Sequence, residues 1–209
     1  RPTKLIIPLS QHTGKPASSL VKKGDKVDES SCIAKAQGLI ASSIHAPVSG
    51  TVTDIDIYPH PVLKRSLAIV LTPESFTSKQ YPIEQSAINF SRDQLLELIS
   101  SSGIVGMGGA AFPTQVKLQP PRQIDTLIIN GCECEAYLAA DNRLMIEKTK
   151  ESMMGVELIC KILSPAQVIF AVEENKPQAI KNINLELSLK KFALPNAKLK
   201  KLKTVYPQG

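Results

Sequence analysis

The residues most able to do chemistry lie between Gly103 and Lys117, in the run GIVGMGGAAFPTQVK. Four glycines (Gly103, Gly106, Gly108, Gly109) fall within seven positions, followed by Phe112-Pro113-Thr114 and a single lysine, Lys117. Glycine accepts positive φ and lets a ligand approach the backbone without meeting a Cβ. Successive bare amides form a concave anion site, which a nearby cation reinforces. The pattern therefore suits a loop that holds a phosphorylated cofactor. Taken alone, the glycines fit a flexible connector equally well, because short glycine patterns recur by chance.

A second cluster follows the apolar run 124–130. There GCECEAYLAADNRLM places Asn130, Glu133, Glu135 and Asp141 at or beyond the carboxyl end of a strand, where open α/β sheets bind ligands. Asn offers a donor and an acceptor to a flat heterocycle, and Glu accepts from ring or ribose donors. The alternative is a polar strand-to-helix connection in which Asp141 caps the next helix. Glu173, Glu174 and Asn175 follow the apolar strand 167–173 in the same way. Capping of the helix that Pro177 opens explains them as well as a ligand does.

The elements that must position these groups are legible from pattern. Residues 91–102 read as a helix with Ser91 as N-cap and Gly103 as its stop. A helix before the glycines excludes the usual dinucleotide fingerprint, which needs a strand there. Beyond the loop, strand 124–130, helix 142–163, strand 167–173, helix 176–190 and strand 198–205 alternate, which predicts parallel βαβ units with right-handed crossovers. The near-continuous apolar character of 167–173 predicts helices on both sheet faces. Residues 5–72 read instead as short strands, 5–9, 19–21, 31–34, 43–46, 50–57 and 66–71, with a tight turn at Gly24-Asp25. The expected fold is α/β: a small all-β barrel-sandwich-like N-terminal domain (1–72), a linker (73–90) and a parallel-sheet Rossmann-like α/β domain (91–209).

GIVGMGGAAFPTQVKL, LIINGCECEAYLAADNRLM, VEENKPQAI and the terminal YPQG, in that order, resemble the C subunit of Rnf-type electron-transport complexes. They are more distantly similar to the flavoprotein subunit of respiratory NADH dehydrogenase. The resemblance implies an FMN site on the glycine loop, with NADH stacking on the flavin. It implicates Gly106, Met107, Gly108, Gly109 and Lys117 on the phosphate side, and Asn130 and Glu133 near the isoalloxazine or ribityl chain, with Glu135 beside them. It brings Glu173 and Glu174 towards the nicotinamide nucleotide, and matches Tyr206 and Gly209 to the start of a further flavin/nicotinamide motif. Met107 stands where the distant family commonly has arginine, Ala111 where a further glycine is common, Cys132 where that family has aspartate, and Ala136 where proline is usual.

The family further implies electron transfer between NAD(H) and iron–sulfur clusters or ferredoxin, coupled to ion translocation. Two 4Fe-4S clusters are expected in the parent protein outside this stretch, which reads as an excised part, inactive by itself. Other members of the complex and a ferredoxin or cluster-bearing protein are the expected partners, at the cytoplasmic face of a membrane. The rival reading is a non-catalytic assembly or docking module with an incomplete cofactor site. GDKV followed by APVSGTV also resembles the barrel-sandwich of lipoyl and biotinyl carriers, but the tip Ala36–Leu39 carries no lysine to modify.

Composition narrows the field. The chain has 209 residues, 43% of them hydrophobic, enough for one or two cores. Its four cysteines (Cys32, Cys132, Cys134, Cys160) show neither zinc nor cluster spacing. No metal site and a reducing compartment are expected. From Lys176 onward eight lysines face one acid, Glu186, which reads as a solvated lysine face. Aromatic content is 4%, which argues against a stacking platform for nucleic acid.

Overall fold

The computed structural model describes residues 1–74, 76 and 89–206. Most of the expected linker 73–90, and Gly209, lie outside the described residues. Two compact units divide the chain, residues 1–119 and 120–209.

The first unit begins with seven strands: β1 (Leu5–Pro8), β2 (Ser18–Ser19), β3 (Lys26–Val27), β4 (Cys32–Lys35), β5 (Ile44–His45), β6 (Gly50–His60) and β7 (Lys64–Pro73). They form two antiparallel sheets, β1-β7-β6-β3 and β2-β4-β5, the barrel-sandwich arrangement expected for this region. The hairpin β6–β7 is its spine, with Ile55 opposite Ile69 and a bulge between Val52 and Asp54. Alternation along the strands turns Ile7, Ile33, Val52, Ile69 and Leu71 into one core. Strand β3, which the sequence pattern missed, is two residues long and follows the Gly24-Asp25 turn. There Lys22 N–H donates to the Asp25 carboxylate at 2.9 Å.

Helix α1 (Arg92–Ser101) follows, and then the single turn α2 (Thr114–Lys117). Ser91 caps α1 through a full capping box with Gln94, and Gly103 (φ +70°) ends it, as the pattern predicted.

The second unit is a parallel sheet of β8 (Thr126–Gly131), β9 (Gln167–Glu173) and β10 (Lys198–Leu202), with α3 (Ala140–Glu147), α4 (Thr149–Leu163) and α5 (Pro177–Leu189). The strand order is β10-β9-β8. Two expectations are corrected here. The helix expected over 142–163 is two helices, broken at Lys148 (φ −129°, ψ 37°). Thr149 Oγ1 donates to Met145 O at 2.7 Å and Ser152 Oγ to Lys148 O at 2.8 Å, back-bonds of the kind that bend helices.

Nor, among the described residues of this unit, do helices cover both sheet faces. Strands added successively in one direction, with crossovers of one hand, put every connecting helix on the same side. Leu127, Ile129, Val168, Phe170, Val172 and Leu199 accordingly pack with Met153, Val156, Ile180 and Ile183. The opposite face carries Ile128, 60% exposed, in register with Ile169 and Lys198.

Truncation tests the β6–β7 register. Ile69 is fully buried and Ile57, on the same hairpin, is 53% exposed. Urea unfolding should show Ile69→Ala costing about 2–5 kcal/mol and Ile57→Ala within about 0.5 kcal/mol of wild type.

Candidate functional site

In the first unit the glycine run is a small hairpin. Val105 and Pro113 form an antiparallel bridge. Gly106 N–H donates to Phe112 O at 2.9 Å, and Ala111 N–H to Gly108 O at 3.0 Å. Between these bonds the N–H groups of Met107, Gly108, Gly109 and Ala110 find no acceptor among the described residues. Met107 is fully exposed at the tip. A Cβ placed on Gly108 or Gly109 would meet nothing within 4 Å, whereas one on Gly106 would stand 3.0 Å from Lys117 Nζ. Lys117, on α2, thus holds its ammonium against the glycine backbone beside four free donors. That arrangement can bind a phosphate or another compact anion. Ala111 sits at φ +41°. A positive φ suits glycine better than alanine, since an L side chain there is strained by roughly 1–2 kcal/mol.

In the second unit the groups cluster at the carboxyl ends of β8 and β9. Asn130, Glu135 and Glu174 are exposed, and Asn130 Oδ1 accepts from Cys132 N–H at 3.1 Å, an Asx turn that shapes the strand exit. Glu133 is 2% exposed. Its Oε1 accepts from Asn142 N–H at 2.9 Å, so Glu133 satisfies the open end of α3. The expected cap, Asp141, lies inside the helix, and the N-cap position is Ala139 with no side-chain bond. The turn arrives from the strand already carrying a carboxylate, which takes the role a local cap would have had.

Glu173 is fully buried. Its Oε2 accepts from Glu133 N–H at 3.1 Å and from Lys176 Nζ. Burial pushes the Glu173 carboxyl up, but the bonds from Lys176 and Glu133 N–H and the Lys176 charge outweigh it and hold it below the ordinary value. Lys176, counted by sequence within the solvated lysine face, is instead 5% exposed and paired. The spacing Glu173-x-x-Lys176 at a strand-to-helix junction was the available signal for it. Burial raises the Cys132 thiol, Glu173 and Glu133 add to this, and Lys176 opposes it. Cys160 is pushed up to about 11 by burial. Cys134 and Tyr206 are exposed. No group of three or more His, Cys, Asp or Glu able to hold a metal occurs among the described residues. None of their helices is long and apolar enough to cross a membrane.

Comparison with known proteins defines the class. Residues 99–209 match the family described as the Nuo51 FMN-binding domain, and residues 1–75 match the RnfC barrel sandwich hybrid domain. The chain belongs to the Nuo51 FMN-binding domain family. Its relatives include the C subunit of the proton-translocating ferredoxin:NAD(+) oxidoreductase complex of Clostridium ljungdahlii, 40% identical over 100% of this chain and 45% of that protein. The C subunit of the Na(+)-translocating ferredoxin:NAD(+) oxidoreductase complex of Acetobacterium woodii is 34% identical over 100% of this chain and 47% of its own length. The C subunit of the ion-translocating oxidoreductase complex of Pectobacterium carotovorum is 38% identical, with coverages of 100% and 28%. The chain therefore spans less than half the length of these relatives.

The buried pair sets two expectations. Lys176→Met leaves the Glu173 carboxylate without its cation and should cost about 3–5 kcal/mol in urea unfolding. The folded pKa of Glu173 is depressed from 4.5, so its stabilisation is present above that value and disappears as pH falls through the lower folded value. The stability difference between wild type and Glu173→Gln should then shrink on acidification below about pH 4.5. Separately, Ala111→Gly should raise stability by about 1 kcal/mol, by relieving the positive φ.

Proposed function

We propose that this chain is the flavin- and nicotinamide-binding part of the C subunit of an ion-translocating electron-transport complex. In this reading it lies peripherally at the cytoplasmic face of the membrane and passes electrons between NAD(H) and iron–sulfur clusters or ferredoxin. The observation that carries the reading is the Lys117 ammonium, 3.0 Å from the position of a Gly106 Cβ, beside the unpartnered amides of 107–110. The donor set fits the phosphate of FMN: one cation and several backbone donors, with no side-chain carboxylate among the loop residues 103–117.

Bound FMN would supply acceptance of a hydride from nicotinamide and release of single electrons to clusters. The chain's own residues bind and orient. Lys117 and the amides of 107–110 hold the phosphate. Within the second unit Asn130, Glu135 and Glu174 are exposed and present acceptors and an amide to the hydroxyls of a bound nucleotide, and Tyr206 lies at the start of the further motif. Glu133 and Glu173 act indirectly, by fixing the turn on which Asn130 and Glu135 stand. None of these residues needs to move a proton, which fits a set of residues without histidine.

Titration by flavin fluorescence checks the reading. The chain should bind FMN more tightly than riboflavin. Lys117→Met should weaken FMN by about tenfold or more, the worth of a charge-assisted contact, and leave riboflavin unchanged. Equal affinity for the two flavins in wild type would contradict the phosphate assignment.

A further inference from the structure

The barrel-sandwich and the glycine loop are held together by a set of contacts outside the loop itself. Thr13 N–H donates to Ala111 O at 3.3 Å, and the Thr13 hydroxyl donates to Ala110 O. On the other flank Gln115, 8% exposed, donates from Nε2 to Ala41 O at 3.1 Å. Gly103 lies so close to Ser43 that a Cβ would stand 2.3 Å from its carbonyl oxygen. The two barrel segments that make these contacts are themselves tied together. Buried His12 accepts the Ser42 N–H on Nε2 at 3.1 Å, and Lys15 N–H donates to Ile40 O at 3.1 Å.

The geometry points to Thr13 and Gln115 as positioning residues for the phosphate-binding loop, with the β4–β5 hairpin, residues 36–43, as its fixed anchor. Ala110 ends the stretch of free amides. Bonds to the carbonyls of Ala110 and Ala111 fix the two peptide planes that follow it, those of the Ala111 and Phe112 N–H groups, and so hold the end of the stretch in place. Preorganised donors bind an anion without the cost of ordering them. The connection between β4 and β5 thus meets the loop's flank at Ala41 and Ser43. The inference rests on the proposed phosphate role of Gly106–Gly109 and Lys117, and adds the barrel to that site.

The test uses the full chain and two readouts. Thr13 is exposed, so Thr13→Val removes the hydroxyl without emptying a core, and Thr13→Ser retains it. Without ligand, Thr13→Val should speed exchange of the Ala111 N–H, which is bonded to Gly108 O, and Thr13→Ser should not. With ligand, Thr13→Val should weaken FMN about fivefold, the worth of one hydrogen bond, with riboflavin affinity unchanged and with recovery in Thr13→Ser. Unchanged exchange in Thr13→Val, or an equal loss of FMN and riboflavin, would overturn the positioning role. So would Thr13→Val binding FMN like wild type while Lys117→Met loses the FMN preference. Faster exchange in a chain whose wild type does not prefer FMN would uphold the anchoring and sink the phosphate reading instead.

Discussion

An ammonium group facing backbone with no side chains is the constraint on which the site in the first unit depends. Lys117 Nζ comes up to the loop at Gly106, where a Cβ would stand 3.0 Å away, a contact that a small shift of the lysine tip would relieve. The approach also needs α2, whose single turn brings Lys117 back over the hairpin that it follows. The loop is thus a folded object with a bridge, three backbone hydrogen bonds across the hairpin and a defined open edge. In the proposed reading an anion would meet donors already in place, so little conformational entropy would remain to be lost on binding.

The second unit solves a different problem. The turn after β8 must present Asn130 and Glu135 to solvent while two carboxylates and a lysine are buried beneath it. Desolvating such charges is costly unless each is paired. Here the bonds run in a chain: Lys176 and Glu133 N–H to Glu173, and Glu133 to the start of α3. One carboxylate oxygen of each glutamate stays unpartnered, so the cluster is incompletely satisfied and depends on Lys176. Its role is to fix one shape of the turn.

Much of this was legible in the sequence, for identifiable reasons. Ser91 with Gln94, and Gly103 at the helix stop, are local signals whose geometry needs nothing from the rest of the chain. The glycine loop announced itself by composition. What escaped depends on partners distant in sequence. Asp141 looked like a cap, but Glu133 reaches the helix end first. Lys176 looked like one of many surface lysines, but Glu173 draws it inside. The continuous apolar run of β9 suggested two covered faces. Strand order, invisible in a linear pattern, put all the helices on one. Thr13 and Gln115 gave no signal, because their contacts span 97 and 74 residues.

The central claim is that the loop tip holds the phosphate of a flavin nucleotide. A crystal structure of the chain with FMN tests it most directly. The account predicts phosphate oxygens within hydrogen-bond distance of Lys117 Nζ and of backbone N–H groups between Met107 and Ala110. Density for FMN with its phosphate held elsewhere, and the loop amides still facing solvent, would contradict it.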